Sequence, residues 1–299
     1  MTLAARPFGA VLTAMVTPFH EDGAVDYDAA AALAAHLVEQ GNDGLVISGT
    51  TGEAPTTHMP EKEKLIRVVR EAIGPDVHLV AGAGSNDTAH AVAMAQSAQQ
   101  AGASAILSVT PYYSKPSQAG MVAHFRAVAD ATELPVMLYD IPGRSAIGLA
   151  DSTYDALAEH PRIVACKDAT GDVPRAAERM KRTGLVWYSG DDPLNLDFMR
   201  VGAAGIVSVV AHVAARRYVE MIASHDAGDA SRAQEISDSL EGLVDAIMGG
   251  GLGAVAAKSA VAALGVIPNR VMRLPHVPLD ENQFSALVAA LTGAGYLTV

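Results

Sequence analysis

The sequence contains little from which a disulfide, a metal cage or a membrane span could be built. One cysteine, Cys166, stands among 299 residues. A single thiol forms no intrachain disulfide and no thiolate cage by itself, so Cys166 reads as a small buried apolar residue of a reduced, cytoplasmic chain. The ten histidines are scattered without His-Glu-x-x-His or other ligand spacing, which argues against a metal site. No uncharged apolar run reaches the roughly 18 residues a membrane helix needs. Arg6 before an apolar stretch faintly resembles the start of a signal peptide, but Pro7, Pro18 and the run Ala10–Val16 favour a first β-strand. Basic clusters are also missing. The formal charge is −12, and short pairs such as Lys62-Lys64 and Arg216-Arg217 read as solvated helix faces. A nucleic-acid partner is therefore not expected. A small anionic substrate stays possible, because a pocket's field can differ from the net charge. Aromatics are only 5% of the chain, so each of the eight tyrosines is worth following.

What the chain does have is apolar residues, half of the total, in a repeating order. Short near-continuous apolar runs lie at Ala10–Val16, Gly44–Ser48, Val77–Ala81, Ala103–Val109, Pro135–Tyr139, Ile163–Lys167, Leu185–Ser189 and Gly205–Val209. Runs of this kind suit parallel strands buried on both faces. Amphipathic segments separate them. Pro60–Ile73 opens with a first-turn proline and closes at Gly74. Asp87–Ala101 follows a Ser-Asn-Asp-Thr cluster suited to capping. Alternating β and α units allow an open doubly wound sheet or a barrel, and a count of eight favours the (β/α)8 TIM barrel. Residues 1–225 form the expected catalytic barrel. Residues 226–299 carry three helix-like stretches, at Ala230–Met248, Ala254–Leu264 and Glu281–Ala294, and read as a C-terminal helical appendage.

In such a barrel the chemistry sits at the C-terminal ends of the strands. Lys167 ends the run Ile163-Val164-Ala165-Cys166-Lys167. Burial there would favour a neutral amine, which can attack a ketone. The plain alternatives are a lysine that snorkels to solvent or one that pairs with Asp168. Strand alternation puts Cys166 on the face opposite Lys167. Gly49-Thr50-Thr51-Gly52-Glu53 follows another strand and could grip a carboxylate or phosphate, or be an ordinary turn. Thr110-Pro111-Tyr112-Tyr113 and Tyr139, with Asp140-Ile141-Pro142-Gly143-Arg144, follow two more. Phenols can relay protons and arginine can hold a carboxylate, although each residue alone has a bland reading. Four clues at four strand ends are harder to assign to chance. Gly82-Ala83-Gly84-Ser85-Asn86 is a partial dinucleotide fingerprint without its third glycine and reads as a barrel turn. Asp191-Asp192 could hold a cation, but capping the following helix is the simpler role.

Together, Gly-Thr-Thr-Gly-Glu at 49–53, Thr-Pro-Tyr-Tyr at 110–113, Tyr139 with Ile-Pro-Gly-Arg at 141–144, and Lys-Asp-Ala-Thr-Gly at 167–171 form an ordered motif set. Ser-Gly-Asp-Asp at 189–192 and Gly-Ile-Val-Ser-Val at 205–209 continue it. The set resembles the dihydrodipicolinate synthase family of the pyruvate-dependent aldolase/lyase superfamily, from Gly9 into the helical C-terminus. The resemblance implies a cofactor-free enzyme of diaminopimelate and lysine biosynthesis. It would condense pyruvate with L-aspartate-4-semialdehyde, as a homotetramer built from tight dimers. Lys167 would form the Schiff base, with Tyr139, Thr50 and Tyr113 as a proton relay in which Tyr113 comes from the neighbouring subunit. Thr51 would hold the pyruvate carboxylate, Arg144 would bind the semialdehyde, and Gly190 and Val207 would supply backbone contacts near Lys167.

The chain departs from lysine-inhibited members of that family. Asn86 and Tyr112 are retained in the inhibitory pocket, but the other matching positions hold Ala54, Pro55, Met59, Lys62 and His90, with His90 in place of an acidic group. Weak or absent inhibition by L-lysine is therefore expected. Rival readings are N-acetylneuraminate lyase or a keto-deoxy sugar acid aldolase, and, from a different class, an NAD(P)-binding oxidoreductase.

Overall fold

The computed structural model describes residues 6–251 and 253–298. Eight parallel strands close in chain order into a barrel, with β1 hydrogen-bonded to both β2 and β8. The strands are β1 (Val11–Ala14), β2 (Gly44–Ile47), β3 (His78–Gly82), β4 (Ala105–Val109), β5 (Val136–Asp140), β6 (Ile163–Asp168), β7 (Val186–Ser189) and β8 (Gly205–Ser208). Each apolar run read from the sequence overlaps one of them, with β3, β5 and β6 ending one residue later than the run. Helices α1 (Tyr27–Glu39), α2 (Met59–Ile73), α3 (Thr88–Ala101) and α4 (Gln118–Asp130) cover the first half. The second half carries a one-turn α5 (Pro142–Ser145), then α6 (Asp151–Ala158), α7 (Val173–Thr183), α8 (Asn195–Arg200) and α9 (Ala211–Asp226). The C-terminal region adds α10 (Ala230–Met248), α11 (Gly253–Ala263) and α12 (Glu281–Gly293). Among the described residues no single helix is long and apolar enough to cross a membrane.

Alternation along the strands divides the core in two. Leu12, Val46, Val80, Leu107, Met137, Ala165 and Val207 fill the barrel interior. Val11, Leu45, Leu79, Ile106, Leu138 and Cys166 face the helices in the larger outer cluster. Phe8 closes the N-terminal mouth, where its N–H donates to the Tyr188 hydroxyl at 3.2 Å. The opposite mouth is left for function. Helix starts follow their chemistry: Asp26, Asp87 and Ser117 cap α1, α3 and α4 by accepting from backbone N–H groups of the first turn.

One irregularity aims the key side chain. Between β5 and β6 the register moves from Val136↔Ile163 to Met137↔Ala165. Val164 is the extra residue of a bulge. Ile163 faces the helices, so strict alternation would send Lys167 outward as well. The bulge shifts the phase by one and brings Ala165 and Lys167 to the interior.

Candidate active site

Lys167 is 4% exposed, which overturns the snorkelling alternative. Its ammonium nitrogen sits 4.5 Å from the centroid of the Tyr139 ring. Among the described residues it makes no hydrogen bond or ion pair. Pairing with Asp168 is also excluded, because Asp168 points to the helix side and accepts from Trp187 Nε1 at 2.9 Å and Thr170 N at 2.9 Å. Burial lowers the Lys167 pKa to about 8; the Asp192 carboxylate opposes the shift and the Arg144 guanidinium adds to it. Adjacent strand positions bring Lys167 and Tyr139 together, since they are register partners in β5 and β6.

Tyr139 is buried, and burial raises its phenol to about 12. Arg144 and a hydrogen bond with Thr50 act against the rise, while Asp191 adds to it. At neutral pH Tyr139 is thus a protonated phenol, poised as a donor. Thr50, Tyr139, Ile141 and Arg144 help line a cavity of about 480 Å³. Arg144 stands at the end of α5 and donates to the Gly251 carbonyl at 3.2 Å. Thr51 is buried in the turn after β2.

Val207 is buried in the barrel interior on β8, and one backbone position crowds the lysine directly. Gly190 follows β7, and a Cβ there would lie 2.8 Å from both Cγ and Cε of Lys167. Only glycine leaves the lysine its place. Tyr113 stands apart. It is 87% exposed, at a φ of 72°, while its neighbour Tyr112 lines the cavity.

Two readings from the sequence need correction. Lys62 is not on a solvated face: it is buried and donates to the carbonyls of Ala54, at 2.8 Å, and Thr57. The turn ahead of α2 folds over it, which helical periodicity does not reveal. Lys64 is exposed, as read. Asp192 caps no part of the helix that follows it. Its carboxylate reaches across to α9, accepting from Val209 N at 2.8 Å, Val210 N at 3.2 Å and the Ser208 hydroxyl. The glycines at 82 and 84 answer a packing need. A Cβ on Gly82 would meet the Ser48 carbonyl at 2.2 Å, and one on Gly84 would meet Val109 at 2.5 Å.

Sequence reasoning missed the buried pair formed by Lys258 and Glu53. The only hint was charged residues inside apolar surroundings, Lys258 in an alanine-rich helix and Glu53 at the end of the threonine turn.

A closed eight-stranded barrel with an inward lysine at the end of its sixth strand, under a phenol, defines a class: barrel lyases that work through a lysine Schiff base. The profile of the dihydrodipicolinate synthetase family matches residues 7–294, and the chain belongs to that family. The 4-hydroxy-tetrahydrodipicolinate synthase of Bifidobacterium longum is 49% identical over 295 residues, covering 99% of this chain and 97% of the relative. That of Kineococcus radiotolerans is 53% identical over 290 residues, covering 97% and 94%. Among solved structures, the Cyanidioschyzon merolae enzyme with lysine bound superposes with a TM-score of 0.93 at 39% identity, covering 97% of this chain and 99% of that one. The Bacillus anthracis enzyme gives 0.92 at 40% identity, covering 95% and 98%.

Proposed function

We propose that the chain is a 4-hydroxy-tetrahydrodipicolinate synthase in which Lys167 carries pyruvate and Arg144 receives L-aspartate-4-semialdehyde. The carrying observation is an amine buried in the barrel mouth, its pKa lowered to about 8 and with no hydrogen-bond acceptor among the described residues, beside a protonated phenol. The neutral Lys167 amine attacks the pyruvate ketone, and water leaves to give an iminium. Tyr139 supplies the proton that the departing hydroxyl needs, through the hydrogen bond it shares with Thr50. Loss of a methyl proton then gives an enamine, for which the iminium nitrogen is the electron sink. The enamine carbon attacks the semialdehyde carbonyl. The semialdehyde's own amine next attacks the imine carbon, closes the ring and releases Lys167. Thr51 and the turn amides hold the pyruvate carboxylate, and Gly190 and Val207 line the space beside the lysine.

The assembly we propose is a cytoplasmic homotetramer of dimers, in which Tyr113 completes the relay of a neighbouring copy. Its support is the exposure of Tyr113 and of the apolar side chains Leu274 and Val277. A sugar-acid aldolase would share Lys167 and Tyr139. The pairing of Thr50-Thr51 with Arg144 favours the synthase, as do relatives near half identity over the whole chain.

Borohydride reduction in the presence of pyruvate tests the reading. Three lysines, Lys62, Lys167 and Lys258, are buried, and desolvation lowers the pKa of each. The other two are already committed to acceptors. Peptide mapping should find the reduced adduct on Lys167 alone, and Lys167→Ala should abolish it. An adduct on Lys62 or Lys258 would overturn the assignment.

A further inference from the structure

The turn that carries Thr50 and Thr51 is held from the far end of the chain. Glu53 closes that turn, its N–H donating to the Thr50 carbonyl at 3.1 Å. It does so in the left-handed region, at φ 56° and ψ 42°, where a residue with a Cβ does not stay without support. The support is specific. One Glu53 carboxylate oxygen takes the Lys258 ammonium, and the other accepts from Arg273 N at 3.0 Å. Lys258 also donates to the Val271 carbonyl at 2.9 Å and lies 4.2 Å from the centroid of the Phe19 ring. Both side chains are closed to solvent, at 1% and 0% exposure. The Arg273 guanidinium reaches past them to the Thr56 carbonyl, at 2.7 Å, and to Glu61, at 2.5 Å.

A buried ion pair adds little net stability over an apolar pair of the same shape. What it supplies here is direction, with each carboxylate oxygen held by a donor from the C-terminal region. We propose that Lys258 and Glu53 are positioning residues for the condensation: through them α11 and the segment before α12 fix the threonine turn in the pose that grips pyruvate. Neither residue touches substrate. The inference rests on the reading above that Thr50 and Thr51 serve pyruvate.

The test is steady-state kinetics of the full-length chain with both substrates varied. The variants are Glu53→Gln, the double variant Glu53→Gln/Lys258→Met, and Thr51→Val. The double variant removes both charges and keeps the side-chain volumes. It should fold, with KM for pyruvate up about tenfold and kcat down about tenfold, as expected for small misplacement of a binding group. KM for the semialdehyde should stay within about twofold, because Arg144 sits on α5, after a different strand. A merely structural role would lower the active fraction and leave both KM values alone. If Thr51→Val leaves the pyruvate KM unchanged, the reading of the turn fails and takes the proposal with it. If Thr51→Val raises that KM and the folded double variant keeps its wild-type value, only the ion-pair proposal falls. Should the double variant not fold, Glu53→Gln is judged by the same split.

Discussion

At the scale of single residues, the proposed chemistry depends on how much of Lys167 is neutral. With a pKa of about 8, about a tenth of the amine is neutral at pH 7, against roughly four in ten thousand for an ordinary lysine. Arg144 helps keep it so, because a nearby positive charge disfavours a second one. Removing that charge should raise the Lys167 pKa. Arg144→Met is therefore expected to move the pH profile of pyruvate trapping by cyanoborohydride upward at low ionic strength, slowing it at pH 7. The difference should close at pH values above both pKa values, where either protein holds a neutral amine. A downward shift would contradict the electrostatic role. Lys167 was legible in the sequence because it ended an apolar run in register with motifs at other strand ends, not from its own run alone. Lys62 was not, because its burial comes from a turn folding over it, and helical spacing carries no information about that turn. Asp192 was half legible: its acidity at a strand end was visible, but the helix it caps was not.

At the scale of elements, near-continuous apolar runs found the strands and missed the step inside one of them. Nothing in Ile163-Val164-Ala165 marks a bulge, yet the bulge decides which way Lys167 points. The end of β7 imposes a second constraint. Gly190→Ala would place a Cβ 2.8 Å from Lys167 carbons and 3.1 Å from the Asp168 carbonyl. The lysine must move, and we expect kcat/KM for pyruvate to fall about a hundredfold in a protein whose circular dichroism spectrum is unchanged. Near-normal turnover would show that the lysine has slack. The start of α2 bears on control. Lys62 lines the cavity together with Ala54, Met59 and His90, its ammonium held by the Ala54 carbonyl, so a second ammonium entering there meets like charge. L-lysine should leave turnover unchanged at concentrations comparable with the enzyme's substrates. Strong, saturable inhibition in a titration would refute this.

At the scale of the whole molecule, the closed barrel follows from eight apolar runs, each needing two covered faces. The reach of the C-terminal helices back to the threonine turn was not legible. It joins Glu53 to Lys258 across 205 positions, and no local pattern encodes so distant a partner. The same limit applies to assembly. Tyr113 is 87% exposed and outside the cavity that its neighbour Tyr112 lines, so its proposed role in catalysis is assigned to a second copy of the chain. Complementation separates the possibilities. Tyr113→Phe and Lys167→Ala should each be nearly inactive. If Tyr113 serves the neighbouring copy, a mixed dimer contains one site with Lys167 from one subunit and Tyr113 from the other. Random pairing of equal amounts then restores about a quarter of wild-type activity, since half the dimers are mixed and half their sites are whole. If Tyr113 serves its own chain, no mixed site has both groups, and the activity after co-refolding stays at the sum of the two variants.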